Sequence, residues 1–248
     1  MNLVSRGILI LVGLLILWQC IVLLFDLPPY ILPTPWAVAK IGYLRRDLIA
    51  TEALPTLIET LLGLFLGILL GSFAALCMAF FRPMTLWFLP ILIISQAIPT
   101  FAIAPLVVIW LGYGMSSKIA ITILMLFFPI TSAFFDGLRQ TEPGWLDLAN
   151  TLNGKKTAIF WYIRIPSALP NWASGVRVAT VIAPIGAVVG EWVGASKGLG
   201  FLMLNANARM QIDLMFAALF VIIVFSLILY FVIDKLLYIA IPWQKVTR

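Results

Sequence analysis

The sequence predicts an all-α, polytopic membrane protein with about six transmembrane helices and a long polar loop on the cytoplasmic side. Three observations carry that prediction. The chain of 248 residues is 63% hydrophobic and 10% charged, whereas a soluble domain carries roughly 25% charged residues. Its apolar residues gather into runs long enough to cross ~30 Å of hydrocarbon at ~1.5 Å per residue. Between them lie polar connections, of which residues 139–170 form the longest, and that one is basic.

The apolar runs cover residues 8–25, 55–81, 86–111, 119–138, 172–193 and 214–239. Arg6 ahead of the first run gives it the outline of a signal peptide. The run is too long for an h-region and has no small-x-small cleavage site, so an uncleaved first span is expected. Pro28, Pro29, Pro33 and Pro35 then deny a helix its donors and predict an extended external segment. Thr34 can cap a short helix with Pro35 at its first position. Ala37, Ile41, Leu44 and Leu48 share one face of it, opposite Lys40 and Arg45, which suits a helix lying at the membrane surface. Residues 1–53 thus form an entry region, and 54–248 a permeation core containing the 139–170 loop.

Within that core, Gly63, Gly67 and Gly71 recur every fourth residue, as do Gly186, Gly190 and Gly194. Such stripes let helix backbones approach closely where lipid supplies no hydrophobic driving force. Pro90, Pro99, Pro105, Pro129 and Pro184 each remove a helical bond and predict bends. The sharpest is Ser95-Gln96-Ala97-Ile98-Pro99-Thr100. Irregular polar backbone at membrane depth is tolerated only when buried in protein or lining a wet cavity. Gln96, Pro99 and Thr100 are therefore candidates for a translocation path. A glycine-rich external segment follows the fifth run, through Gly194, Gly198 and Gly200 to Arg209.

Lysines and arginines orient the spans. Arg6, Arg82, Arg139, Lys155, Lys156, Arg164, Arg177, Lys235, Lys245 and Arg248 fall inside, against Lys40, Arg45, Arg46, Lys118, Lys197 and Arg209 outside. Both termini are expected in the cytoplasm. The net charge of +6 follows from this bias and does not point to nucleic acid.

Catalytic chemistry finds little support. The chain has no histidine, which removes Ser-His-Asp and Cys-His systems and most zinc sites. Cys20 and Cys77 sit in apolar runs and offer neither a disulfide framework nor a metal cluster. Gly154-Lys155-Lys156-Thr157 has the ending of a phosphate-binding loop, but Lys155 and Asn150 occupy its two glycine positions. Glu59 and Glu191 lie near the outer ends of their spans, where a carboxylate faces a cavity, a partner or nearby water. Glu191, beside the glycine stripe, joins Gln96, Pro99 and Thr100 as a path candidate.

The long loop has its own pattern. Thr141 can cap a helix with Pro143 near its first position. Trp145, Leu148, Ala149 and Leu152 recur at helical spacing and make one apolar face, as a helix set into a partner's groove requires. Asn153-Gly154 suits a helix stop. A second helix is expected to run through Ile163 until Pro166 ends it. Asp147-Leu148-Ala149, Asn153, Ile163, Ile165 and Pro166 match the spacing of the EAA loop of ABC-importer permeases. Asp147, Leu148, Asn153 and Ile165 replace that motif's Glu, Ala, Gly and Leu, with Gly154 beside Asn153.

Leu32-Pro33-Thr34-Pro35, Ala104-Pro105-Leu106, Trp110-Leu111-Gly112-Tyr113-Gly114 and Phe128-Pro129-Ile130 extend the likeness over nearly the whole chain. The chain resembles the nitrate, sulfonate and taurine branch of these permeases, which also includes permeases for the pyrimidine precursor of thiamine. That resemblance implies a homodimer in the bacterial inner membrane, cytoplasmic ATP-binding subunits that hydrolyse the ATP, and an external substrate-binding protein. No cofactor of its own is implied. Asp147 to Gly154, with Ile163, Ile165 and Pro166, would couple it to the ATPase. A rival reading, a secondary transporter driven by an ion gradient, expects acids or histidines at mid-membrane, and here the in-span acids lie near the ends.

Overall fold

The computed structural model describes residues 3–243 in backbone, and all side chains among them except those of residues 3–8 and Arg82. Lys245 and Arg248 lie outside the described residues, as do the side chains of Arg6 and Arg82. Among the described residues every regular element is helical. In order they are α1 (Leu3–Leu24), α2 (Pro35–Leu44), α3 (Arg46–Phe80), α4 (Arg82–Ala97), α5 (Thr100–Leu111), α6 (Met115–Arg139), α7 (Pro143–Thr151) and α8 (Lys156–Ile159). A π-helical turn (Phe160–Arg164), α9 (Ile165–Gly194), α10 (Leu199–Ala208) and α11 (Ile212–Ala240) complete the chain.

Four helical stretches are long and apolar enough to cross a membrane: α3, α6, Lys156–Gly194 and α11. The expected third span is not one helix. Its two halves, Pro83–Ala97 and Thr100–Leu111, are bent by 104°. Pro99 stands in the break, lacks an amide donor and forces its predecessor Ile98 into extended backbone (φ −88°, ψ 119°). Counted as one, the bent pair makes a fifth span. The apolar stretch Leu9–Leu24 of α1 is shorter. Likewise, the expected surface helix stops at Leu44, and Leu48 belongs to α3. Thr34 caps α2 as expected, its Oγ1 accepting from the Ala37 N–H at 3.2 Å.

The chain divides into two compact units. The first joins the described residues up to Thr56 with Ser196–Val224. Here the glycine-rich segment after α9 forms α10, whose N-terminal N–H groups are satisfied by side chains of α3. Gly198 N–H donates to Glu52 at 2.6 Å and Leu199 N–H to Thr56 Oγ1 at 2.8 Å. Gly198 has φ 122°, open to glycine but strained for other residues.

The second unit covers Leu57–Ala195 and the described residues from Phe225. Its centre is α6, held between α3 and α9 by the two glycine stripes. The register is regular. Along α3, Gly63, Gly67 and Gly71 face Thr122, Leu126 and Ile130, so α3 and α6 run parallel. Along α9, Gly190, Gly186 and Gly175 face Lys118, Thr122 and Ala133, so α6 and α9 run antiparallel. A Cβ at Gly186 or Gly190 would come within 2.9 Å of the α6 backbone. Thr122, 0% exposed, is clamped from both sides. The unit is also tied by Arg177 Nε to Asp234 at 2.6 Å and by Trp172 Nε1–H to Ser72 Oγ at 2.7 Å.

Candidate functional site

The long loop is built as an ordered segment whose two ends are pinned together. Gly137, near the end of α6, packs against Ala168 and Asn171 of α9; a Cβ there would lie 2.8 Å from Asn171 Cβ. Thr141 and Ser167 share a hydroxyl hydrogen bond of 3.2 Å. Thr141 also donates to the Leu138 carbonyl. It is therefore spent on closing the loop and does not cap α7 as expected. Glu142 occupies that position without a side-chain bond, and Pro143 follows in the first turn.

The end of α7 is a Schellman motif. Asn153 N–H donates to the Asn150 carbonyl and Gly154 N–H to the Ala149 carbonyl, each at 2.9 Å. Asn153 takes the left-handed backbone, φ 54°. Gly154 meets a different demand: a Cβ there would sit 2.9 Å from the Ala149 carbonyl oxygen. The stop expected at Asn153-Gly154 is thus met by one residue for conformation and the other for space.

On this capped helix Trp145, Leu148 and Leu152 are 62%, 63% and 74% exposed. Ala149 between them is half-buried and Asp147 is exposed. Trp145 and Leu148 on the nine-residue helix and Leu152 at its C-terminal cap thus put three large apolar side chains, uncovered by the other described residues, on one face.

The remaining predicted coupling residues lie apart from α7. Ile163 is in the π-helical turn, and Ile165 and Pro166 open α9; all three are half-buried. Pro166 does not end a helix, contrary to expectation. The π turn widens the backbone just ahead of it, with Ile165 N–H bonding to the Phe160 carbonyl five residues back. The proline then falls in the first turn of α9, where a missing donor is tolerated. Its carbonyl accepts from Trp243 Nε1 at 3.2 Å.

At the break between α4 and α5, Gln96 and Pro99 are exposed and Thr100 is half-buried. Phe101, next to Thr100, packs its ring on Trp192 at a centroid distance of 5.7 Å. The break therefore lies against the C-terminal turns of α9. Glu191 does not share the exposure of Gln96. It is 1% exposed and within hydrogen-bonding reach of Glu59.

Glu59 is also 1% exposed, and its Oε1 accepts from Lys118 Nζ at 2.8 Å. Sequence reasoning placed Lys118 among the water-facing cations, and Glu59 close enough to an interface to reach water. Both are buried because they continue the helix register: Glu59 stands four residues before Gly63, and Lys118 four before Thr122. Among the described residues no group of histidine, cysteine and acids has the arrangement of a metal site.

A pinned loop presenting an apolar helix, a broken membrane helix and a glycine-packed core together describe a transport subunit. Comparison with known proteins agrees. Residues 67–245 match the family of binding-protein-dependent transport system inner membrane components. A probable ABC transporter permease protein of Haemophilus influenzae is 53% identical over 231 residues, covering 93% of this chain and 94% of the relative. The formylaminopyrimidine transport permease protein ThiX of Halalkalibacterium halodurans is 35% identical over 233 residues, covering 94% and 93%. The inward-facing MetNI methionine ABC transporter shares the fold, with a TM-score of 0.65 at 16% identity over 78% of this chain and 96% of the other. The chain belongs to this permease family and is the membrane-embedded subunit of an ABC importer.

Proposed function

We propose that two copies of this chain form the translocation path of a binding-protein-dependent importer in the bacterial inner membrane. Both termini and the 139–170 segment face the cytoplasm. There α7 docks in a groove of an ATP-binding subunit, which hydrolyses the ATP. An external binding protein delivers the solute, and the chain itself holds no cofactor. Gln96, Pro99 and Thr100 line the path at the α4–α5 break, and Glu191 supports its wall from within the buried cluster. Among solutes, a pyrimidine precursor of thiamine fits best. The ThiX relative supports that choice, and the polar groups at the break, exposed Gln96 and half-buried Thr100, are neutral.

The observation that carries this reading is the exposed face of Trp145, Leu148 and Leu152 on a helix with a closed C-terminal end. Substituting Leu148→Asp adds a charge at an exposed position, so folding and insertion are expected to persist. Ala149→Arg places bulk and charge where a groove must come close. In both variants ATPase co-purification and uptake are expected to fall together by about tenfold or more, the scale of losing an interface anchor. Normal uptake with either variant sinks the docking assignment.

A further inference from the structure

We propose that the first unit contains a binding site for one anionic phospholipid. A cavity of about 940 Å³ lies between α1, α2, the first turns of α3 and α11, at the upper end of the ~300–1,000 Å³ typical of ligand sites. Its walls are almost wholly apolar, formed by residues such as Leu11, Leu15, Ala50, Ala217 and Phe220. An apolar cavity in a membrane protein fills with what surrounds it, and acyl chains are the abundant apolar chains there.

Two polar features make the site specific. Arg46, the first residue of α3, lines the cavity. Its guanidinium lies 5.0 Å from the Tyr43 ring centroid, and its one acidic neighbour there, Asp47, is 3.9 Å away and 97% exposed. So long and exposed a pair leaves the guanidinium free to bind a phosphate in two-pronged fashion. Lys40 and Arg45, both exposed on the same short stretch, add to the attraction for a negative headgroup. The second feature is Trp18. Its indole lines the cavity, stacks obliquely on Phe216 at 5.6 Å, and has a buried Nε1–H with no acceptor among the described residues. Trp18 lies six residues before the end of α1 at Leu24. A phospholipid carries its ester carbonyls on the inward side of its phosphate, towards its acyl chains. One molecule with its phosphate on Arg46 and its chain in the cavity thus supplies the acceptor that Trp18 lacks.

The test uses the full-length permease in its importer assembly, in bilayers of equal phosphatidylglycerol and phosphatidylethanolamine. With a photoreactive phenylalanine analogue at Leu15, irradiation is expected to give an adduct of phospholipid mass enriched at least threefold in phosphatidylglycerol. Arg46→Gln is expected to abolish that enrichment while keeping the adduct, and Ala217→Phe to remove the adduct by filling the cavity. A polypeptide adduct, from a second copy or another subunit, overturns the proposal. So does an adduct without phosphatidylglycerol enrichment, or an enrichment unchanged by Arg46→Gln. The parent protein's adduct alone decides the outcome if a variant does not assemble.

Discussion

Lys118→Met tests the buried core more severely than any surface change. The methionine keeps the Cβ and Cγ that pack on Gly190 and removes the ammonium that holds Glu59. Lys118 and Glu59 side chains are 8% and 1% exposed and meet at 2.8 Å. Glu59 also has the Glu191 side chain within hydrogen-bonding reach. Removing one member of such a pair costs about 3–5 kcal/mol, because a buried charge loses its counter-charge. At about 2–4 °C per kcal/mol for a chain of this size, the purified importer is expected to melt roughly 6–20 °C lower. Glu59→Gln in the same molecule removes the stranded charge. Replacing both members with neutral residues is often close to neutral, so the double variant is expected to recover most of the loss. Thermal unfolding of the parent, the two single variants and the double closes the cycle. If the double variant melts as low as Lys118→Met alone, the loss does not come from a stranded Glu59 charge but from the missing Lys118 contacts themselves.

Two further outcomes follow from local geometry. Asn153→Val puts a β-branched residue into left-handed backbone at a cost of about 1–2 kcal/mol, whereas Asn153→Gly fits. The valine variant is expected to fray α7 and to show faster tryptic cleavage at Lys155 and Lys156, both exposed; equal resistance in the two variants contradicts the capping role. With Cys20 and Cys77 changed to serine, Gln96→Cys and Thr100→Cys are expected to react with small polar thiol reagents at rates that change when ATP binds, and a cysteine replacing the buried Glu191 to lag behind both. Inertness at Gln96 and Thr100 in every nucleotide state removes them from the path.

The helices were legible because lipid leaves a chain few options. Every backbone donor in hydrocarbon must be satisfied within its own segment, so apolar runs become helices. The stripes at Gly63–Gly67–Gly71 and Gly186–Gly190–Gly194 announced close packing for the same reason. Their common partner was not legible. Thr122, Leu126 and Ile130 fit into the stripes without any periodic mark of their own, and only their register reveals that Glu59 and Lys118 meet. A sharper rule was available in hindsight: a charged residue four positions ahead of a glycine stripe shares the stripe's face and needs a partner there. Pro166 failed for a different reason. A proline ends a helix only when the turn before it is α-helical, and nothing in Phe160–Arg164 marks a π turn.

The same physics explains why the apolar face of α7 was readable and the solute is not. In a polar loop, Trp145, Leu148 and Leu152 stand out, because water penalises exposed apolar surface and a partner must explain it. In the spans that contrast disappears. Trp87, Ile109 and Trp110 are more exposed than Trp145 and Leu148 of α7, and lipid, a second copy and a translocation path all accept them. Polarity alone separates these cases, and at the α4–α5 break it is confined to Ser95, Gln96 and Thr100, with Ser95 already donating to the Leu92 carbonyl. On the proposed reading, two side chains mark where a solute passes and leave most of the selection among solutes to a surface outside this chain. That is the expected division of labour in an importer whose permease receives its cargo from a binding protein.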